Sequence, residues 1–235
     1  MIKSDRIICA LDLPNLNNIF NLVERIEYDI IFKFGMEFFY NFGVKGILDI
    51  KKIKPDMKIF LDLKFHDIPN TVAKAVKPLL NYIRPDILTL HISGGRMMME
   101  EAVKTVNETT VELKINKPIL MGVTILTSLD QEDLFELGLK NSLEEYVLNY
   151  ARLAKKAGLD GVICSALETK KIKACLGKDF KVITPGIRVL NSANEDQSRV
   201  VTPKDAFNNG SDYIVIGRNL IYAENPNRVI RDIIS

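Results

Sequence analysis

Five charged residues fall where charge is least expected. Asp12 closes an apolar run that starts near Arg6, and Lys33 lies inside Ile31-Phe32-Lys33-Phe34. Asp62 and Lys64 interrupt Phe60-Leu61-Asp62-Leu63-Lys64-Phe65, and Asp67 follows just beyond. A lone charge withdrawn from water is costly, and neighbours of opposite sign reduce that cost. Any one of these residues reads equally well as half of a structural ion pair. Together, on three successive apolar runs, they read as a site that manipulates charge. An ammonium held between carboxylates can stabilise negative charge and donate a proton.

A second set has the character of an anion grip. Thr184-Pro185-Gly186-Ile187-Arg188 and Ile216-Gly217-Arg218-Asn219 each place a glycine and an arginine directly after an apolar run. Backbone N–H groups can approach an anion closely at a glycine, and a guanidinium adds charge-assisted bonds. One Gly-Arg pair is usually a surface turn; two in matching places favour a phosphorylated ligand.

These residues must be positioned by the elements around them. Eight β-type runs, at 6–11, 30–34, 57–63, 87–91, 119–124, 161–165, 181–184 and 213–216, alternate with longer amphipathic stretches. Most are continuously apolar, the pattern of parallel strands covered on both faces. Helical spacing covers 15–27, 70–83 and 142–156. Pro78 is expected to kink or shorten the second of these, and Ser142 with Glu145 makes a capping-box start for the third. The order predicts an α/β fold, a (β/α)8 TIM barrel forming a single domain over 1–235. A doubly wound open sheet is the alternative. The turn after the first run, Asp12-Leu13-Pro14-Asn15, is not its glycine-rich fingerprint. In a barrel, chemistry sits at the C-terminal ends of the strands and phosphate sites follow strands seven and eight, where both sets fall. The two-residue period of a strand puts Asp62 and Lys64 on the interior face and Leu61, Leu63 and Phe65 on the other. The polar, aperiodic segment 189–202 reads as a lid.

Composition narrows the partners. With 32 Lys+Arg against 30 Asp+Glu the net charge is +2, so bulk charge offers nothing to nucleic acid or to a membrane surface. The start of the chain has no signal-peptide pattern. The most apolar stretch, 28–44, is broken by Asp29, Lys33, Glu37 and Asn41 and is too polar to span a bilayer. Three cysteines without metal-like spacing, and two scattered histidines, predict no metal site. Cys9 and Cys164 sit in apolar runs as small buried residues, which fits a reducing cytoplasm.

The block Asp62-Leu63-Lys64-Phe65-His66-Asp67-Ile68-Pro69-Asn70-Thr71 resembles the D-x-K-x-x-D signature of orotidine 5′-monophosphate decarboxylases, including its HDIPNT extension. The two Gly-Arg segments resemble that family's phosphate-end motifs, and Asp196-Gln197 resembles its lid. The likeness runs from Asp12 to about Pro226. It departs at Val189 and Asn219, where many relatives have proline. The resemblance implies a cofactor-free lyase of pyrimidine biosynthesis that converts orotidine 5′-monophosphate to UMP and CO2. It implies Lys64 as proton donor, held by Asp62, Asp67 and Lys33, with Asp12, Lys33 and Asp62 at the ribose. Thr127 and Ser128 would meet the pyrimidine, and Pro185, Arg188, Gln197, Gly217 and Arg218 belong to the phosphate end. It also implies a homodimer with shared sites, in which Asp67, Ile68 and Thr71 reach into the partner's site. Two rivals remain: a metal-dependent sugar-phosphate decarboxylase or aldolase of the same superfamily, and a non-catalytic nucleotide-binding protein. The HDIPNT block favours the nucleotide enzyme over the first, and the presence of Lys64 and Asp67 counts against the second.

Overall fold

A computed structural model describes residues 2–189 and 201–235. Eight parallel strands close into a barrel in sequence order, β1 through β8, each pairing with the next and β8 with β1. They are β1 Ile7–Ala10, β2 Ile31–Phe34, β3 Lys58–Phe65, β4 Ile87–His91, β5 Ile119–Val123, β6 Gly161–Ile163, β7 Lys181–Thr184 and β8 Tyr213–Ile216. The helices around them are α1 Leu16–Arg25, α2 Met36–Ile53, α3 Pro69–Tyr82, α4 Arg96–Leu113, α5 Gln131–Glu136, α6 Leu143–Lys156, α7 Thr169–Leu176, α8 Pro203–Asn208, α9 Arg218–Ile221 and α10 Pro226–Ile234. This is the expected (β/α)8 barrel, and the open-sheet alternative is excluded by closure.

The continuous apolar runs have a simple cause. Ile8, Ala10, Ile31, Phe60, Ile87, Met121, Val123, Ile163, Ile183 and Val215, drawn from all eight strands, fill the barrel interior. Their neighbours, among them Cys9, Phe32, Leu61, Leu88 and Ile214, face the opposite way into the layer packed under the helices. Both faces of each strand are therefore buried. The cysteine expectation holds: Cys9 and Cys164 are buried, and burial is the main cause that pushes their thiols up, Cys9 to about 12.

Helix ends follow the local chemistry. The Asn15 side chain accepts from Asn17 and Asn18 N–H to start α1, and Ser142 with Glu145 closes the expected capping box on α6. Pro78 does not break α3, which runs to Tyr82. Pro78 lies on the exposed side, and so does Lys74, whose carbonyl would have received the missing N–H; water can satisfy that carbonyl.

At the N-terminal mouth the strands are fastened by aspartates. Asp86, Asp160 and Asp212 immediately precede β4, β6 and β8. Each carboxylate accepts a backbone N–H from the strand before: Ile59 at 2.7 Å, Leu120 at 2.8 Å and Val182 at 2.7 Å. Between β6 and β7 the backbones lie so close that a Cβ on Gly161 would stand 2.2 Å from the Lys181 carbonyl oxygen. We predict that Gly161→Ala lowers the stability by about 1–3 kcal/mol, the usual cost of overpacking. Urea unfolding followed by circular dichroism reads it as a lower midpoint; an unchanged midpoint contradicts the close packing of β6 on β7.

Candidate active site

The C-terminal mouth gathers four charges in one chain of contacts. Ala10 is paired with Lys33 across β1 and β2, and Lys33 with Phe60 across β2 and β3, so the lysine rises from the barrel interior between its neighbours. Its Nζ lies 3.3 Å from Asp12 Oδ1 and 3.5 Å from Asp62 Oδ2. Asp62 Oδ2 also accepts from Lys64 Nζ at 3.0 Å. Exposure follows this order: the side chains of Asp62 and Lys33 are 8% and 10% exposed, Lys64 is 26% and Asp12 41%. The innermost carboxylate thus has an ammonium on each side, and Lys64 is accessible to a ligand.

The lysine reaches this place by a route the strand period does not describe. Strand β3 extends through Phe65, two residues beyond the expected end. From Leu61 to Phe65 it advances four residues, while its partners on β4 advance two, from Leu88 to Leu90. The surplus forms a bulge, and Lys64 within it has φ +50°, the left-handed region that side chains other than glycine rarely adopt. Two extra residues preserve parity, so Phe65 still packs under the helices with Leu61 and Leu63.

Two adjoining pockets meet over this network. One, of about 200 Å³, is mostly apolar: Phe60, Val123, Ile125, Ile163 and Val215 surround Lys33, Asp62 and Lys64, with Thr127 at the edge. The other, of about 490 Å³, runs from Asp12, Lys33 and Asp62 to Gly186, Arg188, Gly217 and Arg218. Pro185 lines both. Gly186 has φ +76°, which suits glycine at the turn that carries Arg188 into the pocket. Arg188 N–H donates to Val201 O at 3.3 Å. Ser128 lines a third, neighbouring cleft with Thr127 and does not line the apolar pocket. A basin at the opposite mouth, lined by Lys58, Arg84 and Lys117, receives none of these groups.

Of the expected site residues, Asp12, Lys33, Asp62, Lys64, Thr127, Pro185, Arg188, Gly217 and Arg218 come together. Asp67, Ile68 and Thr71 do not. All three are exposed, and Asp67 Oδ1 accepts the Ile68 N–H at 2.6 Å. Asp196 and Gln197, and most of the segment read as a lid, lie outside the described residues. Two nearby residues were not singled out from the sequence. Thr89, fully buried on β4, bonds to both Asp62 and Lys64. Its signal was a lone hydroxyl in the apolar run Ile87-Leu88-Thr89-Leu90. His91 closes β4, its ring 5.3 Å from that of His66; burial first, then the charges of His66 and Lys64, hold it below the ordinary imidazole range.

Comparison with known proteins agrees with this geometry. A family model described as orotidine 5′-phosphate decarboxylase / HUMPS family matches residues 5–233. An orotidine 5′-phosphate decarboxylase of Wolbachia sp. subsp. Brugia malayi is 47% identical over 221 residues, 94% of this chain and 93% of the relative. That of Carboxydothermus hydrogenoformans is 45% identical over 224 residues, 94% of this chain and 91% of the relative. A crystal structure of orotidine 5′-phosphate decarboxylase from Lactobacillus acidophilus superposes with a TM-score of 0.84 at 37% identity, covering 97% of each chain. The barrel, its mouth of alternating charges and these matches along nearly the whole sequence lead to one assignment: the chain belongs to the orotidine 5′-phosphate decarboxylase / HUMPS family.

Proposed function

We propose that this chain decarboxylates orotidine 5′-monophosphate to UMP and CO2 in pyrimidine biosynthesis, with Lys64 as the proton donor. The observation that carries the reading is the placement of Lys64. Its ammonium is anchored to a buried carboxylate and lines an apolar pocket, and an arginine-lined pocket opens next to it. A nucleotide spans such a pair of pockets, with its phosphate between Arg188 and Arg218, its ribose over Asp12 and Lys33, and its base against Lys64 and Thr127. Relatives 43–47% identical carry the same name.

The chemistry follows from charge. When the bond from C6 to the carboxyl carbon breaks, CO2 leaves and the electron pair stays on C6 in the plane of the ring, where the π-system cannot take it. A positive charge aimed at that atom stabilises the pair, more strongly in an apolar pocket than in water. Lys64 Nζ then transfers a proton to C6 and regains one from solvent after product leaves. Asp62 fixes the ammonium, and Lys33 and Asp12 fix Asp62. Asp62 also stands near the substrate carboxylate, a like-charge contact relieved as CO2 departs.

The active form is read as a homodimer with shared sites, in a reducing cytoplasm. Asp67 lies past the end of β3, Ile68 is extended (φ −61°, ψ 153°) before Pro69 opens α3, and no glycine is present there to turn the chain back sharply towards its own Lys64. Asp67, Ile68 and Thr71 are exposed as a partner's site would require. Among the described residues no helix is long and apolar enough to cross a membrane, and the two most buried cysteines are unpaired.

The direct test is to mix the purified protein with orotidine 5′-monophosphate and follow the loss of its ultraviolet absorbance; no loss refutes the reading. Lys64→Ala should abolish turnover while UMP still binds, because the proton donor goes and the phosphate grip stays. Near-normal turnover in that variant would remove Lys64 from the chemistry. Arg188→Ala or Arg218→Ala should raise KM about 10- to 100-fold, the range of one charge-assisted hydrogen bond; an unchanged KM would move the phosphate elsewhere. For the dimer, inactive Lys64→Ala and inactive Asp67→Ala proteins are mixed in equal amounts. About half the dimers are then mixed, each with one intact site, so roughly a quarter of all sites should work. Subunit exchange without recovered activity would place Asp67 in the site of its own chain.

A further inference from the structure

We propose that Thr89 is a positioning residue that sets where Lys64 stands, acting through both the backbone and the counter-charge of that lysine. It does not itself line either pocket; its whole effect passes through Asp62 and Lys64, which do.

The bulge in β3 costs the strand part of its ladder. Leu61 pairs with Leu88 and Phe65 with Leu90, which leaves Thr89 opposite the surplus residues with no paired Cα on β3. A buried backbone N–H without a partner is expensive. The Thr89 hydroxyl supplies the partner: Lys64 N–H donates to Oγ1 at 2.9 Å. The same hydroxyl donates its proton to Asp62 Oδ1 at 3.1 Å. One oxygen therefore accepts from the backbone of the lysine and donates to the carboxylate that holds the lysine's other end.

The two bonds divide the work. The first holds Lys64 at φ +50°, a conformation that costs free energy in a residue with a Cβ and persists only where its surroundings enforce it. The second occupies Oδ1, so that Oδ2 alone faces the ammonium groups of Lys64 at 3.0 Å and Lys33 at 3.5 Å. Free rotation of the carboxylate would exchange those roles. Thr89 itself is stiff: it is fully buried on β4, and branching at Cβ restricts its rotamers. Its hydroxyl makes the barrel wall the reference against which Lys64 is set.

The inference rests on the proposed decarboxylation only for its kinetic readout. Thr89→Val keeps the shape and removes both bonds; Thr89→Ser keeps both. We expect kcat for orotidine 5′-monophosphate to fall about 100-fold in Thr89→Val, the scale of a 1 Å misplacement. KM and UMP affinity should stay within about threefold, since the arginine pocket is untouched. Thr89→Ser should recover most of kcat, and amide exchange over residues 61–65, followed by mass spectrometry, should be faster in Thr89→Val than in Thr89→Ser. If Thr89→Val does not fold, Thr89→Cys takes its place, a smaller unbranched side chain with only a weak donor and acceptor. A kcat within threefold of wild type in the Val or Cys variant overturns the proposal. So does a Ser variant as impaired as Val, or a loss of UMP binding that parallels the loss of kcat. If the wild-type protein itself does not turn over orotidine 5′-monophosphate, the decarboxylation reading fails, and amide exchange alone then decides for or against Thr89.

Discussion

The Asp62 carboxylate is the constraint around which the mouth of the barrel is organised. It is buried in the C-terminal half of β3, where an uncompensated charge would be strongly destabilising. Two ammonium groups and a hydroxyl compensate it: Lys33 and Lys64 share Oδ2, and Thr89 bonds Oδ1. Asp12 then balances Lys33, so the order is carboxylate, ammonium, carboxylate, ammonium, with two charges of each sign. Such a set is neutral as a whole. An anionic ligand gains little from it at long range, whereas the adjoining pocket is lined by the guanidinium-bearing Arg188 and Arg218.

The two pockets differ in character. The arginine pocket is the larger and more polar of the two, and it can bind a phosphate without contact at Lys64. The apolar pocket is small, and the apolar strand residues that line it, Phe60, Val123, Ile163 and Val215, belong to the barrel interior. On the proposed reading, binding energy gained at the remote phosphate would serve to bring the substrate carboxylate into the apolar pocket. The two pockets share Lys33, Asp62, Pro185 and Val215, while Lys64, Val123 and Ile163 line only the apolar one and Arg188, Gly217 and Arg218 only the other.

The barrel was legible because almost every strand is buried on both faces and so reads as an unbroken apolar run. The charged residues were legible because they break those runs. The bulge was not legible. Nothing in Asp62-Leu63-Lys64 announces a positive φ, since the residue that adopts it is a lysine and not a glycine. The period of two still put Asp62 and Lys64 together because the bulge adds an even number of residues and leaves parity intact. Thr89 shows the opposite failure: its polarity stood out in the sequence, but its meaning depends on a bulge in another strand. Pro78 lies inside α3 without ending it, on the exposed side where water can reach the carbonyl left without its N–H partner.

The fastening at the far end of the barrel bears directly on the charges at the mouth. A strand that slips by one residue exchanges its two faces. In β2 such a slip would turn Phe32 and Phe34 into the barrel and carry Lys33 under the helices, away from Asp12 and Asp62. In β3 it would bury Leu61 and Leu63 inside and remove Asp62 from both lysines. Asp86 guards β3 against this: it is bonded to Ile59 by its carboxylate and by its own N–H, at 2.7 Å and 2.8 Å, and it precedes β4 without a gap. The register of β3 on β4 is therefore set before the strands reach the bulge. Closure does the rest, because in a closed barrel no strand can slip without disturbing both neighbours. The aspartates at one mouth carry no chemistry themselves, yet the geometry of the charges at the other mouth depends on them.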